Sequence, residues 1–174
     1  MPPKPAGDKY SLWLMPPGEL CDELRGIIRR LSARYGAPEF LPHVTLLGGF
    51  VGSPREVIRK SSTVAASLRS ITIRLGRIGF RDEYFRCLFA HAALTPALRK
   101  ANLAARHAFG HERERPFMPH LSLLYGEFPR SLKEQIIAEI GPHLDVQFNV
   151  RSLHLYRTQN EPMHWQRVAR FGLG

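Results

Sequence analysis

The sequence predicts a domain in which strands and helices alternate, α+β or α/β, with its sheets covered by helices on one side. Three observations carry this. Apolar residues switch repeatedly between two-residue and helical spacing along the 174 positions. The plan strand, helix, strand, helix, strand occurs once in each half, and an internal duplication is its simplest source. One segment also recurs almost unchanged, FLPHVTLLGGF at 40–50 and FMPHLSLLYGEF at 117–128. The length fits one domain, or two small lobes sharing a core.

Residues 1–9, MPPKPAGDK, are Pro-rich without an apolar run, which reads as a flexible tail and not a secretory signal. KYSLWLMP (9–16) reads as a strand closed by Pro16-Pro17. Leu20, Leu24, Ile27, Ile28 and Leu31 recur at helical spacing between Gly18 and Tyr35, and Gly36 stops that helix. PHVTLLGGF is short, apolar and β-branched, a strand. Ser53-Pro54 supplies an N-cap and a first-turn proline for a helix to about Leu68. ITIRLGRIGF (71–80) is a strand with Ile71, Ile73 and Leu75 on one face and Thr72 and Arg74 on the other. In the second half Tyr84 to Leu94 reads as a strand, Thr95-Pro96 opens a helix to about Phe109, and HERERPF (111–117) is a charged loop. PHLSLLYG is the second motif strand. Pro129 to Ile140 is a helix stopped by Gly141-Pro142. Val146 to Tyr156 reads as one alternating strand, and His164 to Phe171 as its hairpin partner with EPM (161–163) in the turn.

A net charge of +10 favours an anionic partner: nucleic acid, nucleotide or an acidic surface. No block of five like charges marks a nucleic-acid-binding tail. Cys21 and Cys87 lack metal-ligand spacing and make no disulfide framework, so a reducing compartment, the cytoplasm, is expected. No apolar run approaches the roughly 20 residues of a membrane span. Nothing demands more than a monomer.

On a strand, His43 and Thr45 share one face, as do His120 and Ser122, each pair about 7 Å apart. If the halves pack about a pseudo-two-fold axis, both pairs face one cleft. One neutral imidazole can then take a proton from water while a protonated one gives a proton to the leaving oxygen of a phosphodiester. An unperturbed His titrates near pH 6.5, so both forms are accessible. The two hydroxyls can hold the non-bridging oxygens. Paired histidines can also bind a metal, but the nearest third ligand, Glu127, lies outside both motifs, so neither metal nor cofactor is expected.

These residues resemble the signature of the 2H phosphoesterases, two His-x-Thr/Ser tetrads, here His43-Val44-Thr45-Leu46 and His120-Leu121-Ser122-Leu123. YSLWLMP, FLPHVTLLGGF, YFRCLFAH (84–91) and MPHLSLLYGEF look most like the plant and fungal cyclic phosphodiesterases, from Tyr10 to about Phe128. The resemblance implies an α+β fold of two pseudo-symmetric lobes around a water-filled cleft. Each lobe would be an antiparallel-rich sheet with helices on its outer face and one tetrad. It implies metal-independent hydrolysis of ADP-ribose 1″,2″-cyclic phosphate, formed in tRNA splicing, to ADP-ribose 1″-phosphate, and of nucleoside 2′,3′-cyclic phosphates to 2′-phosphates. It casts His120 as base and His43 as acid. The disulfides of some plant members are not expected with only Cys21 and Cys87 present.

The same family places an aromatic at Phe85 and a tyrosine at Tyr125 beside the substrate, although alternation puts Tyr125 on the face opposite Ser122 unless Gly126 bends the strand end. Trp13 is a candidate for the cleft entrance. Arg81, Arg86, Arg113 and Arg115 are candidates to hold a distal phosphate, those of the HERERPF loop first. His91, His107, His111, His143, His154 and His164 have no hydroxyl two residues on and read as structural or surface residues, with His154 the one whose alternation could aim it at the cleft. Two other readings fit the basic charge: a phosphodiesterase acting on RNA ends or 2′-5′ oligonucleotides, and a basic module that binds RNA ends without catalysis.

Overall fold

The computed structural model describes residues 7–174; residues 1–6, most of the expected tail, lie outside the described residues. The described chain runs β1 (Asp8–Leu14), α1 (Gly18–Tyr35), β2 (Val44–Gly52), α2 (Pro54–Ser67), β3 (Ile71–Phe80), β4 (Leu88–Ala92), α3 (Pro96–Phe109), β5 (His120–Leu124), α4 (Arg130–Ile140), β6 (His143–Val150), β7 (Ser152–Arg157) and β8 (Gln166–Gly172). Single 3₁₀ turns occupy Tyr84–Arg86 and Pro162–His164. The tail therefore ends before residue 9: Asp8 and Lys9 already pair with Gly52 and Val51.

The helix starts follow the predicted chemistry. Ser53 Oγ accepts from the Glu56 N–H at 3.4 Å and Thr95 Oγ1 from the Leu98 N–H at 3.2 Å, each satisfying a donor the first turn cannot pair internally.

The strands form one eight-stranded sheet in the order β6-β3-β4-β5-β2-β1-β7-β8, with every neighbouring pair antiparallel. At its centre β2 and β5 are joined by a single registered pair, Val44↔Leu121. Beyond that point the motif strands diverge, so two four-stranded halves splay around a cleft. This is the expected α+β architecture, with the expected lobes realised as halves of one continuous sheet.

Two readings of the strands need correction. Val146 to Tyr156 is not one strand. The chain leaves β6, paired with β3, and enters β7, paired with β1, on the opposite side of the sheet. Both segments alternate, so side-chain period alone shows no break at Arg151; the choice of neighbour is tertiary. The sequence halves are consequently not the sheet halves: β3 joins the half built around β5, and β7 and β8 return to the half built around β2. Tyr84 to Leu94 is likewise shorter as a strand. Arg81 N–H donates to the Arg86 carbonyl at 2.9 Å and Arg86 N–H to the Glu83 carbonyl at 3.0 Å, which closes a loop before β4 begins.

The core lies on the helix-covered side. Leu12, Leu14, Val44, Leu46, Leu121 and Leu123 are buried there against apolar residues of the helices such as Ile28, Val64 and Leu98. The alternate positions Trp13, His43, Ser122 and Phe89 are buried on the other side, which is the floor of the cleft. Among the described residues no helix is long and apolar enough to cross a membrane.

Candidate active site

The central register assembles both motifs. Continuing Val44↔Leu121 in antiparallel sense puts His43 opposite Ser122 and Thr45 opposite His120. Each imidazole thus faces the other motif's hydroxyl across the strand gap. All four residues line a cleft of about 710 Å³.

The two histidines are held the same way. The Nδ1 of His43 lies 2.7 Å from the Leu41 carbonyl and that of His120 lies 2.8 Å from the Met118 carbonyl. A carbonyl only accepts, so Nδ1 carries the hydrogen and Nε2 is left to take or give a proton. The prolines between, Pro42 and Pro119, have no N–H and fix their own φ, which accounts for their place in both copies.

The surroundings differ. His43 is 6 % exposed and lies flat on Trp13, with ring centroids 3.6 Å apart and planes 8° apart. Trp13 is stacked in turn on Tyr156 at 3.8 Å, and its indole N–H donates to Ser11 Oγ at 2.9 Å. Burial lowers the His43 pKa from 6.5 to about 3; the Leu41 hydrogen bond opposes the shift and nearby His120 adds to it. His120 is half-buried beside Phe89, with centroids 5.0 Å apart. Its pKa is also lowered, first by burial, then by the cations Arg86 and Arg81 and by His91, with the Met118 hydrogen bond opposing. Both imidazoles are therefore neutral at pH 7 in the free protein. The expectation of ordinary histidines with both forms accessible is corrected: the aromatic wall and the basic surroundings disfavour the charged form.

Ser122 Oγ donates to the Phe85 carbonyl at 3.1 Å, so its hydroxyl must turn to meet a ligand oxygen. Tyr125 does reach the cleft. β5 ends at Leu124, and Gly126 at φ 142° bends the chain as a residue with a side chain rarely does. The Tyr125 ring stacks on Phe40 at 3.7 Å, and burial raises its pKa, so the phenol stays a neutral donor. Phe85 lines the cleft and is 51 % exposed. Trp13 lines the cleft and, at 2 % exposure, also supports His43 from behind.

Of the candidate arginines, Arg86, Arg113 and Arg115 line the cleft. Arg81 does not; its guanidinium lies against the Met118 sulfur at 3.2 Å. His154 is also absent from the lining, and its Nε2 pairs with Ser152 Oγ at 3.1 Å.

The lining residues that sequence patterns did not single out include Lys9, Arg106 and Trp165. Arg106 donates to the carbonyls of Arg115 and Glu114 at 2.6 and 3.4 Å, which ties loop 111–117 to α3. Its signal was Asn102, a polar residue one turn earlier on the buried face of α3, whose amide donates to the Leu46 carbonyl at 2.8 Å. Trp165 comes from the turn before β8 and gave no signal, since it repeats nothing in the other half.

The cleft differs in character along its length. Phe85, Tyr125 and Trp165 gather on the His43–Ser122 side, with Trp165 6.0 Å from both of the others. Lys9, Arg106, Arg113 and Arg115 line the other part, with Gly48 and Gly49 past Thr45 on β2 and the loop that leads into His120. Among the described residues no three His, Cys, Asp or Glu side chains gather as a metal-ligand set.

Residues 16–162 match the family model described as the 2′-5′ RNA ligase superfamily. The chain is 27% identical to a protein of Arabidopsis thaliana named cyclic phosphodiesterase, over 93% of each chain. It is 33% identical to a protein of Phaeosphaeria nodorum named 2′,3′-cyclic-nucleotide 3′-phosphodiesterase, over 75% of each. The fold is similar to that of E. coli LigT, solved in complex with 3′-AMP, at a TM-score of 0.67 and 18% identity, over 96% of this chain and 98% of that one.

Proposed function

Because this chain belongs to the 2′-5′ RNA ligase superfamily and is a phosphoesterase of the 2H type, we propose that it hydrolyses cyclic phosphodiesters with His43 and His120 as a general acid–base pair. One observation carries the reading: both imidazoles have Nδ1 committed to the carbonyl two residues back, and both line one cleft across the central strand pair.

The chemistry follows from neutral imidazoles meeting an anion. The cyclic phosphate brings a negative charge between them, which favours one proton on the pair. The neutral partner takes a proton from water as the new P–O bond forms in line with the ring oxygen that leaves. The charged partner gives its proton to that oxygen as the ring P–O bond breaks. Thr45, Ser122 and Tyr125 donate to the non-bridging oxygens, and no metal is required. The family resemblance makes His120 the base and His43 the acid. Burial disfavours the charge on His43, while the Trp13 face, 3.6 Å away, attracts an imidazolium and offsets part of that cost. The substrates proposed are nucleoside 2′,3′-cyclic phosphates, giving 2′-phosphates, and ADP-ribose 1″,2″-cyclic phosphate, giving ADP-ribose 1″-phosphate. The basic part of the cleft also favours a second reading, an oligonucleotide end in place of a single nucleotide.

The test is phosphorus NMR of the protein in EDTA with each cyclic phosphate and with a short RNA ending in one. The expected result is loss of the cyclic signal, with rates reduced by about 10²–10⁴-fold in His43→Ala and in His120→Ala. Turnover abolished by EDTA, or unchanged in either variant, sinks the mechanism.

A further inference from the structure

We infer that a second cavity, on the helix-covered side of the sheet, binds a free medium-chain carboxylate: an apolar chain inside, its anion on Arg30 at the mouth. The site lies across the sheet from the cleft, so it stands or falls independently of the phosphodiesterase reading.

The cavity measures about 310 Å³ and opens between α1, α4 and the start of β6. That size is at the lower end for ligand pockets. At roughly 30 Å³ per heavy atom, the share of a water molecule in the liquid, it holds about ten such atoms. Octanoate has that many. The floor is Ile78 of β3 and Leu123 of β5, both buried. The walls are Ile27 and Leu31 of α1, Ile140 of α4 and Leu144 of β6. All six are branched aliphatic side chains, which give water nothing to hydrogen-bond and favour an apolar chain. Leu123 directly follows Ser122, so the chain would lie against the back of the second motif's strand.

The mouth selects the sign of the head group. Its two charged residues, Arg30 and Glu139, are both exposed. Glu139 is already engaged. Its carboxylate accepts from Arg34 Nη1 at 2.7 Å, from Arg34 Nη2 at 3.4 Å and from the Gln135 amide at 3.2 Å. Gln135 first and Arg34 next lower its pKa, so it stays ionised and its charge is met. The same pair ties α1 to α4 beside the mouth. Arg30 has no carboxylate within ion-pair reach among the described residues. Arg34 and Glu139 cancel, and Arg30 leaves the mouth with one positive charge. A carboxylate there gains a charge-assisted hydrogen bond, and an ammonium is repelled.

Titration calorimetry of the whole protein with hexanoate, heptanoate, octanoate and decanoate, all below micelle formation, tests this. Affinity should rise about fourfold per added methylene as far as octanoate. Decanoate should gain little more, because its last carbons find no further room. Octanol should bind several-fold more weakly than octanoate, and octylammonium about tenfold or more weakly. Arg30→Gln should weaken octanoate about three- to tenfold and leave octanol unchanged. Ile140→Trp, which fills the cavity from an exposed position, should abolish binding. Saturating octanoate should raise the Tm of the wild type and not that of Ile140→Trp. Absence of carboxylate binding overturns the site. Affinity that keeps climbing through decanoate, or that ignores both substitutions, is detergent-like adsorption and overturns it as well. Octanol or octylammonium binding as tightly as octanoate overturns the assignment of the anion to Arg30.

Discussion

His43 is packed flat on Trp13, edge-on to Phe40, and hydrogen-bonded to its own chain two residues back. A histidine so placed resists protonation until a ligand supplies the counter-charge. The pH dependence should therefore differ between the free and bound enzyme. The free pair loses its proton below the ordinary 6.5, so the alkaline limb of kcat/KM should lie under pH 6.5, while that of kcat, which reports the complex with its added negative charge, should lie at higher pH than that of kcat/KM. Trp13→Leu removes the π face from a charged His43 and should move the kcat limb to lower pH. Its kcat should fall about 2–30-fold, as expected for a cation–π contact of about 0.5–2 kcal/mol, with little change in KM. Stopped assays across pH 5–9 would check this, and a profile identical to wild type would rule out the stacking role. The pairing of His43 with Thr45 and of His120 with Ser122 was legible from the two Pro-His-x-Thr/Ser copies, because strand period fixes which side chains share a face. The depressed pKa of His43 was not. It depends on Trp13 and Tyr156, which belong to strands far apart in the chain.

The loop between β3 and β4 shows how an element remote from the cleft sets the site. Lys133 on α4 is 2 % exposed, yet its ammonium donates to the Arg81 carbonyl at 3.0 Å and to Asp82 at 2.7 Å. From that anchor the loop turns through Tyr84, whose carbonyl accepts from Gly126 N–H at 3.0 Å, to Phe85, whose carbonyl orients Ser122. Lys133→Met keeps the apolar stem and removes the anchor. It should lower Tm by a few degrees, about 2–4 °C per kcal/mol in a chain of this size, and raise KM as Phe85 loosens. A melting shift with unchanged kinetics would make the lysine purely structural. The sequence reading carried a strand straight through this loop because YFRCLF has strand-like composition. A buried lysine on α4 that claims the carbonyl of Arg81 is invisible to a local pattern. The α2 and α3 starts, in contrast, were legible to the residue, because Ser53-Pro54 and Thr95-Pro96 act on their own first turns.

Across the whole molecule, several buried or half-buried histidines resist protonation: His43 to about pH 3, His154 to about pH 4, and His91 and His120 with lowered values. An unfolded chain protonates all of them near 6.5. Between there and the folded values the unfolded state binds more protons, so stability falls as pH falls. Tm measured from pH 7.5 to pH 4.5 should drop steadily below pH 6.5, and a flat profile would mean that these imidazoles are more solvated than their packing indicates. The fold class was legible from periodicity and from the repeat. The exchange of strands between halves was not, because side-chain alternation does not name a strand's neighbours. That exchange has a consequence on the ribosome. β1 emerges long before its second neighbour, β7; Lys9 and Gln159, hydrogen-bonded in the finished protein, stand 150 positions apart. At about 5–20 residues per second the nascent chain holds that edge unpaired for roughly 8–30 s, a template for other chains unless a chaperone covers it. Tyr156 arrives with β7 to complete the stack behind Trp13, so the support beneath His43 is assembled only after both motif histidines have been made.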